Sequence, residues 1–461
     1  QLYTEHTFAY RGHEEVWAKS SPLTPGEVRT LDVYCADRHI ELVPNQNSFG
    51  HLHRWLRHSR YRPLAECPDG LKHPFGTEIE PFSLCPTDPR SVDLLRDLYD
   101  QLLPCFSSRQ FNVGLDETFD LGRGRSAHRV AEIGIGGVYL EFLLEIHRLV
   151  KDRGCRMQFW GDILGEHPGL LDEIPADAVV MNWGYEHDHS FETEIRPLCE
   201  RGLDVYVCPG TSSWLSFAGR VDNSVSNIAG AVRAATTAGA VGCLVTDWGD
   251  RGHLQPLPIS LPGFLTAACF SWNASGARSH EELPLEALLD AHALPGQARG
   301  LAGCLLGLGR LHRSTGARTQ NGSPLFHLVI SPELPLSHSR LDGLSIQALE
   351  QSRVSLGELR ADLNHFPESL VAREIEWVAG ALDLGIDIGL TRLREQATEA
   401  VTELPADERR RLGSRLDHLV EGHAPLWAAR SRPGGAGESR AVLEAARSMF
   451  ESHVPGEDLG G

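Results

Sequence analysis

Phe111-Asn112-Val113-Gly114-Leu115-Asp116-Glu117-Thr118 is an apolar run that ends in two adjacent carboxylates. Residues 110–115 are expected to form a buried strand whose end delivers Asp116 and Glu117 to the rim of a sheet. Side chains alternate along a strand, so one carboxyl can face a reacting bond while its neighbour orients a group beside it. A carboxyl in an apolar cleft beside a second carboxylate titrates high and can act as an acid near neutral pH. The competing expectation is a strand-to-helix junction in which Asp116 caps the segment that follows.

Working outward, short β-rich runs recur at residues 2–8, 40–44, 110–115, 156–160, 178–182, 204–208, 242–246 and 265–271. Helix-like stretches at 24–37, 91–103, 137–153 and 226–238 lie between them. Strands alternating with helices imply a parallel sheet. Eight such units imply an α/β protein of the (β/α)8 TIM barrel class, which takes about 250 residues. The barrel is expected over residues 1–280. The first residues already read as a strand, so an N-terminal part is expected to be missing. Beyond residue 281 the chain turns Leu/Ala/Arg/Glu-rich, with helical periodicity at 345–364, 372–384, 391–402, 407–421 and 438–451. Residues 281–461 are therefore expected to be a C-terminal α-helical region. Within it, Thr319-Gln320-Asn321-Gly322-Ser323-Pro324 belongs to a loop at 316–335 that could fold over the barrel mouth or simply join two helices. Residues 431–437 and 455–461 read as flexible.

The ends of the expected strands share a character. They carry Glu5-His6-Thr7, Asn45-Gln46-Asn47, Asp116-Glu117, Trp160-Gly161-Asp162, Trp183-Gly184-Tyr185-Glu186, Gly210-Thr211-Ser212-Ser213-Trp214, Asp247-Trp248-Gly249-Asp250 and Trp272-Asn273. Barrels of this class build their active sites from the carboxyl ends of the strands. Several tryptophans ringing one mouth suit a sugar ring, whose apolar CH face stacks on indole. The other reading of those indoles is a cap on the barrel core.

Charge and motif content exclude other classes. A net charge of −19 argues against nucleic acid, whose binders need a basic face. No run approaches the ~20 apolar residues needed to cross a membrane. Ten cysteines occur without a CxxC pair, several of them inside apolar runs. Free thiols and a cytoplasmic location are the expectation. Gly134-Ile135-Gly136-Gly137 lacks the full phosphate-binding spacing and reads as a helix start. His51-Leu52-His53 and His187-Asp188-His189 lack HExxH spacing, so no metal is expected. No nucleophile elbow is present.

With the barrel, the acid pair and the tryptophan ring in place, residues 1–275 resemble glycoside hydrolase family 20, the β-N-acetylhexosaminidases. Asn112-Val113-Gly114-Leu115-Asp116-Glu117 matches the family's His-x-Gly-Gly-Asp-Glu segment in Gly, Asp and Glu. Pro44-Asn45-Gln46-Asn47-Ser48-Phe49-Gly50-His51 is the counterpart of its Pro-Glu-x-Asp-x-x-Gly-His pattern. The resemblance implies that Glu117 is the general acid/base and that Asp116 orients the substrate's 2-acetamido group. That group, rather than a protein side chain, is the nucleophile, an exception to the two-carboxylate scheme. It further implies that Tyr185 binds the acetamido oxygen, that Trp160, Trp183 and Trp248 wall the pocket, and that Asp250 takes sugar hydroxyls. Asn47, His51, Asp162 and Trp214 complete the expected substrate-binding set. Asn112 stands where the family has His, and Asn45 and Asn47 stand at acidic positions. The first strand lacks the family's Arg, leaving Glu5 or His6 for its work.

The leading expectation is thus an exo-acting retaining enzyme that removes terminal β-linked GlcNAc or GalNAc without cofactor or metal. Its partner is a carbohydrate, with neither nucleic acid nor membrane; the helices after residue 281 could also make a homodimer contact. One alternative keeps the barrel but uses Glu5 or Asp250 as nucleophile on sugars lacking the acetamide. Another is a carbohydrate-binding protein without turnover.

Overall fold

Of the eight β-rich runs, seven become strands of one sheet and the last becomes a helix. The computed structural model describes residues 1–72 and 79–451. Its strands are β1 (Leu2–Tyr3), β2 (Pro44–Asn45), β3 (Leu71–Lys72), β4 (Ile79–Glu80), β5 (Gln110–Asn112), β6 (Arg156–Trp160), β7 (Val179–Trp183), β8 (Asp204–Cys208) and β9 (Gly242–Cys243). β3 and β4 form a separate antiparallel pair, and the other seven run in the order β1-β2-β5-β6-β7-β8-β9. The pairings from β1 through β7 are parallel, with Phe111 opposite Met157 and Phe159 opposite Val180. Parallel strands are buried on both faces and so read as continuous apolar runs. Phe111, Met157, Phe159, Val179, Val180, Met181, Val205 and Val207 are all buried accordingly. This parallel sheet with its helices, followed by a helical region, is the architecture expected of the barrel class.

The intervening helices follow local signals. Pro25–Ala36 opens with a reciprocal cap, in which the Thr24 side chain accepts the Glu27 N–H and the Glu27 carboxylate accepts the Thr24 N–H. Pro89–Leu102 starts on Asp88 with Pro in its first turn, and Leu94, Leu95, Leu98 and Leu102 form its buried stripe. Ala127–Asp152 is interrupted at Gly134, where φ is 78°, so the Gly134 motif does mark the start of a helical segment.

Residues 265–271, expected as the eighth strand, lie within the helix Leu261–Trp272. A short apolar run is ambiguous between strand and helix. Here Pro262 in the first turn and the Ala267-Ala268 pair favour the helix. Its final residue, Trp272, is 93% exposed, so this indole takes no part in a buried aromatic ring.

Further along, the helix expected at 372–384 and only the first turn of that expected at 391–402 form one helix, Leu370–Arg394, because Ile386, Ile388 and Leu390 are buried and carry the pattern across the gap. The chain then turns at Gln396, where φ is 58°. The loop expected at 316–335 contains the helix Pro324–Ile330, every residue of which is buried. Of the expected flexible stretches, 431–437 runs into the helix Ala436–Met449, and 455–461 lies outside the described residues.

The chain forms two compact units. The first comprises Gln1–Trp183, Ser190–Val207 and Ala234–Gly242; the second comprises Gly184–His189, Cys208–Arg233 and Cys243–Gly461. Phe217, Leu305, Phe326, Val378, Leu412 and Leu443 belong to the core of the second. All ten cysteines are free thiols. Among the described residues, no helix is long and apolar enough to cross a membrane.

Candidate active site

β5 stops at Asn112, and the chain turns sharply through Gly114, Leu115 and Glu117, with φ of 74°, 77° and 52°. Left-handed backbone is unfavourable for Leu and Glu and persists only where surrounding structure enforces it. Four hydrogen bonds do so. The Asn112 Oδ1 accepts the Gly114 N–H at 2.9 Å, and the Gly114 carbonyl accepts the Trp160 N–H at 2.9 Å. Tyr139 donates its hydroxyl to the Leu115 carbonyl at 3.0 Å, and the Asp162 Oδ2 accepts the Glu117 N–H at 3.1 Å. Asn112 is thus a backbone brace.

Two glycines let the end of β2 come against this turn. A Cβ on Gly114 would lie 2.4 Å from the Asn47 Oδ1, and one on Gly50 would lie 2.5 Å from the Asp116 carbonyl. This close approach seats His51 between the two acids. Its Nε2 is 3.2 Å from the Asp116 Oδ2 and 3.1 Å from the Glu117 Oε2. Burial pulls the imidazole down, but the two carboxylates outweigh burial and hold it well above the ordinary histidine value. The imidazolium therefore persists at neutral pH against the two carboxyl groups. Among the described residues, these three side chains also offer ligand atoms within 4.8 Å of one another, a donor set that a divalent cation could use.

Around them, Asn47 donates through Nδ2 to the Tyr3 hydroxyl at 2.9 Å, and His6 Nδ1 lies 3.5 Å from the Glu5 Oε1. Burial pushes the Glu5 carboxyl up, and the hydrogen bond and charge of His6, with those of His53 and His51, overcome this and bring it to about 2. Glu5 is therefore a fixed anion. Tyr3 and Tyr139 escaped the sequence reading because a lone tyrosine in an apolar run carries no motif.

Asp162 differs from its neighbours. Burial first, and the Asp116 charge second, raise its carboxyl from 3.8 to about 7. The folded state thus holds a proton that the unfolded chain releases near 3.8, so stability falls as pH rises from about 4 to about 7 and then levels. Asp162→Asn, which keeps an oxygen for the Glu117 N–H, should remove that slope. Its melting temperature relative to wild type should rise between about pH 5 and pH 8. Melting curves that stay parallel across that range would refute this account of Asp162.

The segment after the acid pair is held at further points. The Asp120 Oδ2 accepts the Ser83 N–H at 3.0 Å. Glu66, fully buried, accepts the N–H groups of Gly124 and Ser126, each at 3.1 Å, and the Ser126 hydroxyl at 2.7 Å.

The remaining expected residues fall in both units. In the first, Trp160 is buried at the end of β6 and Trp183 is half-buried at the end of β7. The second brings Tyr185, Trp214 and Trp248 together. Tyr185 and Trp214 meet edge-to-face with centroids 4.9 Å apart, and the Trp248 Nε1 donates to the Tyr185 hydroxyl at 3.0 Å. Asp250 is exposed and opens the short turn Asp250–Gly252. Three partners there were missed from sequence. Asp247 accepts the Thr211 and Ser213 hydroxyls at 2.5 and 2.7 Å. Glu186 forms a two-pronged pair with buried Arg220, both contacts at 3.0 Å. Asn321 contacts both Trp214 and Glu186. For Glu186 the available signal was its place at a strand end.

Comparison with known proteins bears on this geometry. Residues 5–246 match the sequence model of glycosyl hydrolase family 20, catalytic domain. Human hexosaminidase D is 24% identical over 195 residues, which is 40% of this chain and 38% of that protein. Lacto-N-biosidase of Bifidobacterium bifidum is 24% identical over 153 residues, 31% of this chain and 13% of that protein. The chain thus spans well under two thirds of the length of these relatives. Among solved structures, Flavobacterium johnsoniae chitobiase aligns with 95% of this chain and 72% of its own at 13% identity and a TM-score of 0.45. Streptomyces plicatus N-acetyl-β-hexosaminidase aligns over 61% of each chain at 19% identity and a TM-score of 0.42.

Proposed function

The chain belongs to glycoside hydrolase family 20, and from that premise we propose that it is an exo-acting, retaining β-N-acetylhexosaminidase working by substrate-assisted catalysis. The observation that carries this reading is the His51 cation held against both Asp116 and Glu117 at the end of β5.

In the proposed reaction Glu117 gives its proton to the glycosidic oxygen as the acetamido carbonyl oxygen attacks the anomeric carbon. The bond to the leaving group breaks, and a bicyclic oxazolinium ion forms. A tethered nucleophile of this kind has a high effective molarity. Asp116 accepts the acetamido N–H and stabilises the positive charge that develops beside it. Glu117, now a carboxylate, takes a proton from water as it attacks the same carbon, which reopens the ring and returns the configuration. The imidazolium of His51 holds both carboxylates in place through the cycle. By the resemblance, Tyr185 takes the acetamido oxygen. Its hydroxyl oxygen accepts the Trp248 N–H, which orients the ring. Trp160, Trp183, Trp214 and Trp248 serve as pocket walls, and Asp250, Glu5, His6 and Asn47 as polar contacts or their supports. The reading includes a barrel over 1–280, a helical region over 281–461, and a reducing, cytoplasmic setting suited to ten free thiols.

A panel of p-nitrophenyl β-glycosides tests it. Release is expected from the GlcNAc and GalNAc substrates and not from the glucoside or galactoside. Turnover of the plain glucoside would require a protein nucleophile and would overturn the acetamide mechanism.

A further inference from the structure

Trp214 and Tyr185, two of the aromatic groups that the proposed function assigns to the sugar, lie on loops attached to a segment more than a hundred residues away in sequence. The Trp214 Nε1 donates to the Asn321 Oδ1 at 2.9 Å, 107 residues along the chain. The Asn321 N–H donates to the Glu186 Oε1 at 2.6 Å, and Glu186 immediately follows Tyr185. Asn321 therefore touches both loops at once, with its side chain on one and its main chain on the other. The Glu186 carboxylate is in turn fixed by Arg220, whose side chain is 3% exposed. Asn223 closes the arrangement, donating to the Tyr185 carbonyl at 2.7 Å and to the Ser212 hydroxyl at 2.9 Å.

Asn321 is not placed by chance. Its φ is 49°, in the left-handed region that asparagine tolerates better than most residues. The chain beyond it is secured at two further points: the Ser323 N–H donates to the Leu215 carbonyl at 2.9 Å, and the Phe326 and Phe217 rings lie 5.1 Å apart. Three successive attachments to residues 214–217 fix this segment's register on the loop that carries Trp214. An indole whose N–H is held is oriented as well as buried.

We propose that Asn321 is a positioning residue of the sugar pocket. It sets the angle of the Trp214 indole against Tyr185, and so makes the region beyond residue 281 part of the substrate-recognition apparatus. This rests on the assignment of Tyr185 and Trp214 to substrate binding.

The test uses the full chain. Asn321→Gly removes the side-chain acceptor while tolerating the positive φ. Asn321→Asp keeps an acceptor and the backbone preference. The readouts are kcat and KM on p-nitrophenyl N-acetyl-β-glucosaminide, with the dissociation constant of a thiazoline analogue of the oxazolinium ion. For Asn321→Gly, KM and the analogue's dissociation constant should rise about 5- to 10-fold, as expected for loss of one orienting hydrogen bond, with kcat falling less. Asn321→Asp should recover to within about 3-fold of wild type. Glu186→Gln, which weakens the ionic anchor while leaving Asn321 in place, should raise KM in the same direction. If wild type hydrolyses the amino sugar and Asn321→Gly matches it in KM and analogue affinity, the positioning role is wrong and the proposed function stands. If Asn321→Gly loses kcat and KM together with its melting transition, and Asn321→Asp does not rescue, the residue is merely structural. A wild type that neither turns over nor binds N-acetylhexosamines overturns both readings.

Discussion

Glu117→Gln should lower kcat on p-nitrophenyl N-acetyl-β-glucosaminide by about 10²- to 10⁴-fold, the usual contribution of a placed general acid/base. The loss should depend on the leaving group. Nitrophenolate departs with little help, so the first step is partly spared, whereas an alkyl N-acetylglucosaminide, which cannot leave unprotonated, should show the largest loss, about 10⁴-fold. Glutamine keeps the size of the side chain and its place beside His51, so a fall in rate without a fall in melting temperature separates chemistry from folding. A variant that retains wild-type rates on the alkyl glycoside would remove Glu117 from the reaction.

Asp116→Asn should cost roughly 10²- to 10³-fold in kcat, in the range seen when one preorganised electrostatic contact to a developing charge is deleted. Its signature is the opposite of the first. Asp116 acts on the acetamide rather than on the departing oxygen, so the loss should be similar for nitrophenyl and alkyl substrates. The thiazoline analogue should also bind more weakly, because its ring nitrogen occupies the place of the acetamido nitrogen that Asp116 faces. Equal affinity for the analogue in wild type and variant would argue that Asp116 braces the turn and nothing more. Each variant replaces one of the two carboxyl groups that flank His51 with a neutral amide. Each should therefore lower the imidazole's titration point, readable by NMR of its ring protons.

Much of the scaffold was legible because parallel strands write themselves as uninterrupted apolar runs. Residues 156–160 and 204–208 are β6 and β8 with the expected ends. The paired acids were legible because they interrupt such a run at its end. Residues 265–271 failed because a short apolar segment has no period to betray its geometry, and only Pro262 and the Ala267-Ala268 pair spoke for a helix. The sequence pattern shows two segments where the structure has the one helix Leu370–Arg394, whose Gly385 and Gly389 admit the Leu325 backbone and the Leu328 and Leu349 side chains. Tyr139 and Glu66 left no trace because their partners are distant in sequence, and Asn321 showed only as one residue of a turn-rich loop. A hydrogen bond across 107 residues is a property of the fold, written in no local pattern.

The bonds from Asp162, Asp120 and Glu66 along the segment between Glu117 and Ser126 carry a consequence for anyone wishing to redirect the enzyme toward bulkier leaving groups. Loop grafting, the usual route to altered specificity on barrel rims, is closed here. A longer or shorter segment would strand Glu66 and Asp120 in the interior without their donors, at about 1–3 kcal/mol each or more. Directed evolution should therefore keep the length of this segment and randomise only outward side chains such as exposed Arg123, sparing Arg125, which pairs with buried Asp88.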